Sequence, residues 1–464
     1  MKQIKTPIIP YKSTFVKVQN TEHVLDYKAI CIYMALGFFL DTDTYWKDEK
    51  VLPPATINTI DNNGYWISSE PWFQWHYTPQ KINLKDTVAQ FSILFENIVR
   101  RQSKNKEVIL PLSGGLDSRS QAVALKKIGA KVKSYSYSFE NGYKESRISK
   151  KIAKKCHFPF REFTVGKSYL WNKIEELSEI NQCYSEFTHP RQMAVIDEVA
   201  KLGNSFSLGH WGDVLFDSDN YSDKLSDREL LNILKKKIIK KGGLELATSL
   251  WKSWGIDGDF ESYLDQRMTS LLANINISNT NAKFRAFKSM YWAPRWTSVN
   301  LSVFENKHEI QLPYYENEMC EFICTIPEEF LSNRKVQIEY IKNTNPSVAK
   351  VLWQDAKPFN LYNYHLAKFP YNFPYRAINK SKRIFNALKG NKLVQRNWEL
   401  QFLGKENKEK LTSYLFSKDF NKIVDEKLVK KYHDLFYNTN KVYYSHSVSM
   451  LLTLSVFLKK NTNA

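Results

Sequence analysis

The sequence predicts an α/β fold: a parallel sheet with helices on both faces, helical C-terminal additions and a small β-rich N-terminal region. Three observations predict it. Strand-type and helix-type runs alternate between residues 107 and 165, the rhythm of parallel strands joined by right-handed crossovers. A glycine pair follows directly on the first of those strands. From about Asp217 onward the apolar spacing turns helical, with aromatic-rich connections.

The elements follow in order. Residues 1–85 carry short β-type runs at 51–57 and 62–67, with Asn63-Gly64 as a hairpin signal. Residues 84–102 read as a helix, with Val88, Phe91, Leu94, Phe95, Ile98 and Val99 on one face. Residues 107–112 form a nearly continuous apolar strand of the buried parallel kind. A helix from about Ser118 is stopped by Gly129. Strands are expected at 131–138 and 160–165, a helix at 144–156 between them, and a further strand at 204–208. This divides the chain into a β-rich region (1–85), a nucleotide-binding domain (86–360) and a basic helical extension (361–464).

Composition bounds the function. The chain has 464 residues, 43% hydrophobic and 25% charged, ordinary for a folded domain. The longest apolar stretches, 30–40 and 448–458, fall short of the roughly 18 residues of a membrane span. The basic start lacks the apolar segment of a secretory signal. Five cysteines, an odd number, argue against a disulfide framework and for the cytoplasm. Net charge is +19, and from Tyr375 onward 18 Lys and Arg face 7 Asp and Glu, a net of +11. A second basic cluster, Lys235-Lys236-Lys237 with Lys240-Lys241, sits on an expected helix. Both clusters read as solvated surface, so nucleic acid is not the expected partner.

The chemistry lies in Leu112-Ser113-Gly114-Gly115-Leu116-Asp117-Ser118, at the end of the first sheet strand and the start of a helix. Ligands of open α/β sheets bind there. Paired glycines admit an anion to the backbone, the helix N-terminus offers N–H groups, and Ser113 and Ser118 add hydroxyls. An acid such as Asp117 inside an anion cradle calls for a cation, most simply Mg²⁺ bridging to phosphate. The lysine of a Walker loop is absent.

Ser-Gly-Gly-Leu-Asp-Ser resembles the pyrophosphatase loop of the ATP pyrophosphatase superfamily. Segments 137–145, 208–216, 309–316 and 353–359 are similar, in order and spacing, to those of its asparagine synthetase branch. The resemblance runs from about residue 28 to 359 and implies an adenine nucleotide alpha hydrolase-like sheet. It also implies ATP and Mg as cofactors. Ser113, Gly114, Gly115, Asp117 and Ser118 would hold pyrophosphate, and Asp117 with Asp213 the metal. Leu112, Tyr137 and Gly209 would contact adenosine, largely through backbone. Lys357 would neutralise charge in the transition state, although its spacing from Trp353 is one residue longer than in the family.

The departures from the family are informative. Its glutaminase begins on a cysteine; position 2 here is Lys2, and the first cysteine is Cys31. Glutamine hydrolysis is therefore not expected, and nitrogen would come from ammonia, an amine or a separate glutaminase. His210-Trp211 replaces the family's Glu-Gly, and Gln311 replaces an arginine. His210 is a candidate base, and aspartate is not the expected acceptor. Arg191, after His189-Pro190, either grips a carboxylate or belongs to a helix-start turn. Cys320 and Cys324 read as core, while Trp292, Trp296 and the aromatics of 371–375 read as packing or as the lining of a sugar or nucleotide site. The expected activity is Mg·ATP-dependent adenylation of a small-molecule, sugar or peptide carboxylate, then amide formation. An RNA-modifying enzyme and a non-catalytic ATP-binding scaffold stand as alternatives.

Overall fold

The N-terminal region folds from five short strands: β1 (Lys2–Lys5), β2 (Phe15–Lys17), β3 (Glu49–Val51), β4 (Thr56–Ile60) and β5 (Trp66–Pro71). β1, β4 and β5 form one antiparallel sheet, and β2 and β3 pair separately. The run expected at 51–57 splits into β3 and β4 around Pro53-Pro54, neither of which can donate to a ladder. The hairpin signal holds: the Asp61 side chain accepts the N–H groups of Asn63 (2.9 Å) and Tyr65 (2.8 Å), and Gly64 takes φ +87°. The apolar stretch at 30–40 is mostly a buried helix, α1 (Tyr27–Leu36), capped by Asp26 and ended by Gly37 at φ +79°. The computed structural model describes residues 1–143, 146–218, 221–223, 225–388 and 393–461 of the chain.

Helix α2 (Leu84–Ser103) leads into a five-stranded sheet built of β6 (Glu107–Pro111), β7 (Lys131–Phe139), β8 (Phe160–Val165), β9 (Ser205–Ser207) and β10 (Glu309–Gln311). All its pairings are parallel, in the order β10-β9-β6-β7-β8. Helices α3 (Asp117–Lys127), α4 (Ser146–Cys156) and α5 (Tyr169–Asn181) complete the crossovers. Lys144 and Glu145, the expected start of α4 and the acid carried by the family resemblance, lie outside the described residues. Val108, Ile109 and Leu110 are wholly buried, as suits a strand with β7 on one side and β9 on the other. The chain leaves β6 toward β7 on one side and reaches β9 on the other only later. The strand order thus reverses at β6, and ligands of open α/β sheets bind at such a switch point, in the crevice outside the carboxyl ends of the strands.

The remainder is helical. Residues 448–458 form the buried core of the helix Lys441–Asn461. One hydrophobic core runs continuously from Ile8 through the sheet to Leu458. Among the described residues no helix is long and apolar enough to cross a membrane.

Candidate active site

The loop after β6 lies in that crevice. The Leu112 N–H is committed to the Tyr135 carbonyl (2.8 Å), so any contact it makes with a base uses another group. The Ser113 N–H donates to Ser118 Oγ, the Gly114 N–H to Gln354 Oε1 and the Gly115 N–H to Ser113 Oγ, each at 3.1 Å. Three consecutive N–H groups thus point at neutral side-chain oxygens, the acceptors that phosphate oxygens would replace. A side chain on Gly114 would push Gln354 away, since its Cβ would lie 2.8 Å from Gln354 Cβ and 2.6 Å from Oε1.

Asp117 opens α3 and is met by residues far along the chain. Arg334 Nη2 donates to Asp117 Oδ1, and Gln337 Nε2 reaches the same oxygen at 3.1 Å. Arg334 Nε donates to Gln337 Oε1 at 2.8 Å, and Gln337 Nε2 also reaches the Tyr314 hydroxyl at 3.0 Å. Asn333 and Arg334 both sit in the left-handed region, at φ +57° and +60°, a strained pair of residues at the site. Burial pushes the Asp117 carboxyl up to about 6, with Arg334 opposing and the neighbouring Asp213 adding to the rise. Gly209 and Gly212 pack bare against this carboxylate. A Cβ on Gly209 would lie 3.1 Å from Asp117 Cβ, and one on Gly212 would lie 2.3 Å from Asp117 Oδ1. The donor set, two neighbouring carboxylates beside an anion loop, fits a hard divalent cation. Among the described residues no group of three or more His, Cys, Asp and Glu is placed to hold a metal ion.

A late segment closes over the loop. Arg119, wholly buried on α3, donates through Nη1 to the Val351 carbonyl (3.0 Å) and through Nη2 to the carbonyls of Leu352 (2.7 Å) and Gly114 (3.1 Å). The Gln354 N–H donates to the same Gly114 carbonyl at 3.1 Å. Lys357 follows three residues later, half-buried, inside a turn closed by the Trp353 N–H on the Phe359 carbonyl (2.9 Å).

Gly209 is followed by His210 and Trp211, which border an aromatic and basic cluster. Lys240 Nζ lies 5.7 Å and 5.2 Å from the ring centroids of Trp292 and Trp296, within cation–π range. The His189 ring stands 4.4 Å from Trp296, and Arg191 Nε donates to the Tyr137 hydroxyl. His210 Nδ1 and Trp292 Nε1 are buried with no hydrogen-bond partner among the described residues. Burial lowers His210 to about 4, Asp213 opposing and Arg191 contributing, so the ring is neutral at pH 7. His189 falls to about 3 through burial and the charges of Arg191 and Lys240. Burial also holds the Lys240 ammonium below its usual range, with Glu186 opposing. Glu186 itself is taken up by the Thr188 N–H (2.8 Å), the Thr188 hydroxyl and the Ser449 hydroxyl. Among the described residues the cluster presents the donors of Lys240, Arg191 and Trp292 beside the neutral rings of His189 and His210, and the Glu186 carboxylate is already bonded.

Sequence reasoning placed the loop, Asp213 and His210 together, and the structure brings them to one sheet end. Lys240 corrects an expectation: unlike Lys235, which pairs with Glu261 and Asp265, it turns inward onto the tryptophans. Arg191 starts the short helix Arg191–Ala194, as the turn reading has it, and faces the Tyr137 ring. Cys320 and Cys324 are buried in the helix Asn317–Cys324. Arg119, Arg334 and Gln337 were missed. Nothing local marks them except Asn333, a residue tolerant of left-handed backbone.

Among known proteins, a family model described as asparagine synthase matches residues 90–337, just over half of the chain. No curated protein matches it.

Proposed function

The chain belongs to the asparagine synthase family, a family of ATP-dependent amide-forming ligases, and on that premise we propose the reaction it performs. An oxygen of an acceptor carboxylate attacks the α-phosphorus of ATP, and pyrophosphate leaves. Ammonia or an amine then attacks the acyl carbon, AMP leaves, and the nitrogen loses a proton. Asp117 and Asp213 would hold Mg²⁺, which would supply charge neutralisation to the phosphates. The N–H groups of Ser113, Gly114 and Gly115 orient the departing pyrophosphate, with the Ser118 hydroxyl beside them. Tyr137 and Gly209 border the adenosine, and Lys357 offsets charge as the phosphorus–oxygen bond breaks. His210, neutral at pH 7, is the group positioned to take the proton from nitrogen.

What supports this reading is the meeting, at one sheet end, of the N–H loop, the paired carboxylates and the donor-lined cluster. The cluster also narrows the acceptor. An α-ammonium group would meet Lys240, Arg191 and the Trp292 N–H, all donors, with Glu186 already bonded. The acceptor is therefore a small-molecule, sugar or peptide carboxylate with no free ammonium beside the reacting acid. We assign residues 86–360 to the catalytic domain and 361–464 to a basic helical extension. Residues 1–85 are given no glutamine chemistry, since their single cysteine, Cys31, is fully buried. Nitrogen then comes as ammonia, including ammonia from a separate glutaminase, or as an amine. With no disulfide among the five buried cysteines, the cytoplasm is the proposed compartment.

The test is pyrophosphate and AMP release from Mg·ATP with ammonium, using glucuronate, succinate and aspartate as acceptors. Release should fall at least 100-fold in Asp117→Ala. Lys240→Met should raise the acceptor KM about tenfold and leave the KM for ATP unchanged, as loss of one charge-assisted hydrogen bond predicts. ADP in place of AMP would overturn the reaction. Aspartate as the best acceptor would overturn the role given to Lys240.

A further inference from the structure

Three residues past Phe359, where the segment over the nucleotide loop ends, the surface changes character. Tyr362, Phe369, Tyr371, Phe373 and Ile378 are all exposed, Phe369 at 76%, Tyr371 at 57%, Phe373 at 58% and Ile378 at 54%. Interleaved with them, Lys368, Arg376 and Lys380 are exposed as well. From Ala356 to Trp398 the chain carries nine Lys and Arg and no Asp or Glu. The second half of this patch lies on the helix Phe373–Leu388.

Single exposed apolar residues are ordinary, but a contiguous group is not. Bare electrostatics would account for the basic residues and leave five large side chains in water unexplained. A protein interface would account for the aromatics, yet interface cores are depleted in lysine. Aromatic and aliphatic side chains interleaved with Lys and Arg, with no acid among them, match one surface chemistry. They suit an interface where apolar groups enter an acyl boundary while cations meet anionic headgroups. We infer that residues 362–380 form a peripheral docking surface for an anionic lipid membrane. The patch continues the segment bonded to Gly114 and Arg119, so docking would present the crevice to acceptors carried at that membrane.

The test uses the full-length chain floated with vesicles of phosphatidylcholine alone or mixed with phosphatidylglycerol, at low and physiological salt. Binding is expected to the mixed vesicles, weakening with salt. Lys368→Gln/Arg376→Gln/Lys380→Gln should lower the partition about 10- to 100-fold, because each basic residue near an anionic surface adds a severalfold factor. Phe369→Ser/Phe373→Ser should lower it by a similar factor, and thermal melts of both variants should match the parent. Failure to float with the mixed vesicles at low salt overturns the inference. So does retention on poly(U) equal to that on vesicles with no loss in the double phenylalanine variant, which would leave bare electrostatics.

Discussion

Replacing Arg334 by methionine isolates what the buried cation does for Asp117. The Arg334 side chain is 9% exposed and that of Asp117 is 21% exposed, so the carboxylate left behind would have little water to turn to. Breaking such a pair costs about 3–5 kcal/mol when the remaining charge stays ionised. Here the charge has an exit, because the carboxyl already titrates at about 6. A folded-state value above the ordinary carboxylate value means that the native chain holds a proton the unfolded chain has released. Stability from this group is therefore full below about pH 4 and lost as pH rises to about 6, after which the parent curve is flat. Without Arg334 the folded value moves higher and the loss continues above pH 6, at about 1.4 kcal/mol per pH unit. At pH 5.5 the variant should be about 1–2 kcal/mol less stable, the worth of the lost hydrogen bonds. At pH 7.5 the gap should widen to about 3–4 kcal/mol. Urea unfolding followed by tryptophan fluorescence at the two pH values measures both numbers. A gap equal at both, or smaller at pH 7.5, would refute the placement of Arg334 as the counter-charge of Asp117.

Gly212→Ala should displace the Asp117 carboxylate, since its Cβ would lie 2.3 Å from Oδ1 and 2.9 Å from the Tyr314 ring. Pyrophosphate release should fall more than tenfold, with about 1–3 kcal/mol of stability lost to overpacking in urea titrations. His446, whose Nε2–H donates to the Met34 carbonyl at 2.9 Å, is lowered to about 4 by burial. The stability this gives is present above the unfolded value near 6.5 and is lost as pH falls toward 4. His446→Gln keeps an N–H donor and cannot charge. The parent should therefore lose about 2 kcal/mol relative to it between pH 7 and pH 4.5, and parallel acid titrations would exclude that cause.

The sheet and its loop were legible because their signals are local. A continuous apolar strand, a glycine pair and a helix start lie within a dozen residues, and no distant contact overrides them. β8 matches its expected span, and β7 extends one residue beyond it. β10 was not foreseen as a strand, because three residues give no period and only pairing with β9 makes Glu309–Gln311 extended. The tethers of the site were hidden for a related reason. Lys240 is one lysine in a basic run, and Arg119 and Arg334 are single arginines in sequence of mixed charge; burial alone separates them from surface charge. A charge run says nothing about which of its members turns inward.

The bond between Gly114 and Gln354 spans 240 positions of sequence. At translation rates of about 5–20 residues per second, a growing chain finishes the phosphate loop roughly 12 to 48 seconds before Gln354 is even added. Throughout that interval the Gly114 N–H lacks its acceptor, and Arg119 lacks the carbonyls of Val351 and Leu352. A nascent or truncated chain can thus possess every residue of the loop and still not hold its shape. The loop has its full set of tethers only once residues 351–354 have joined it.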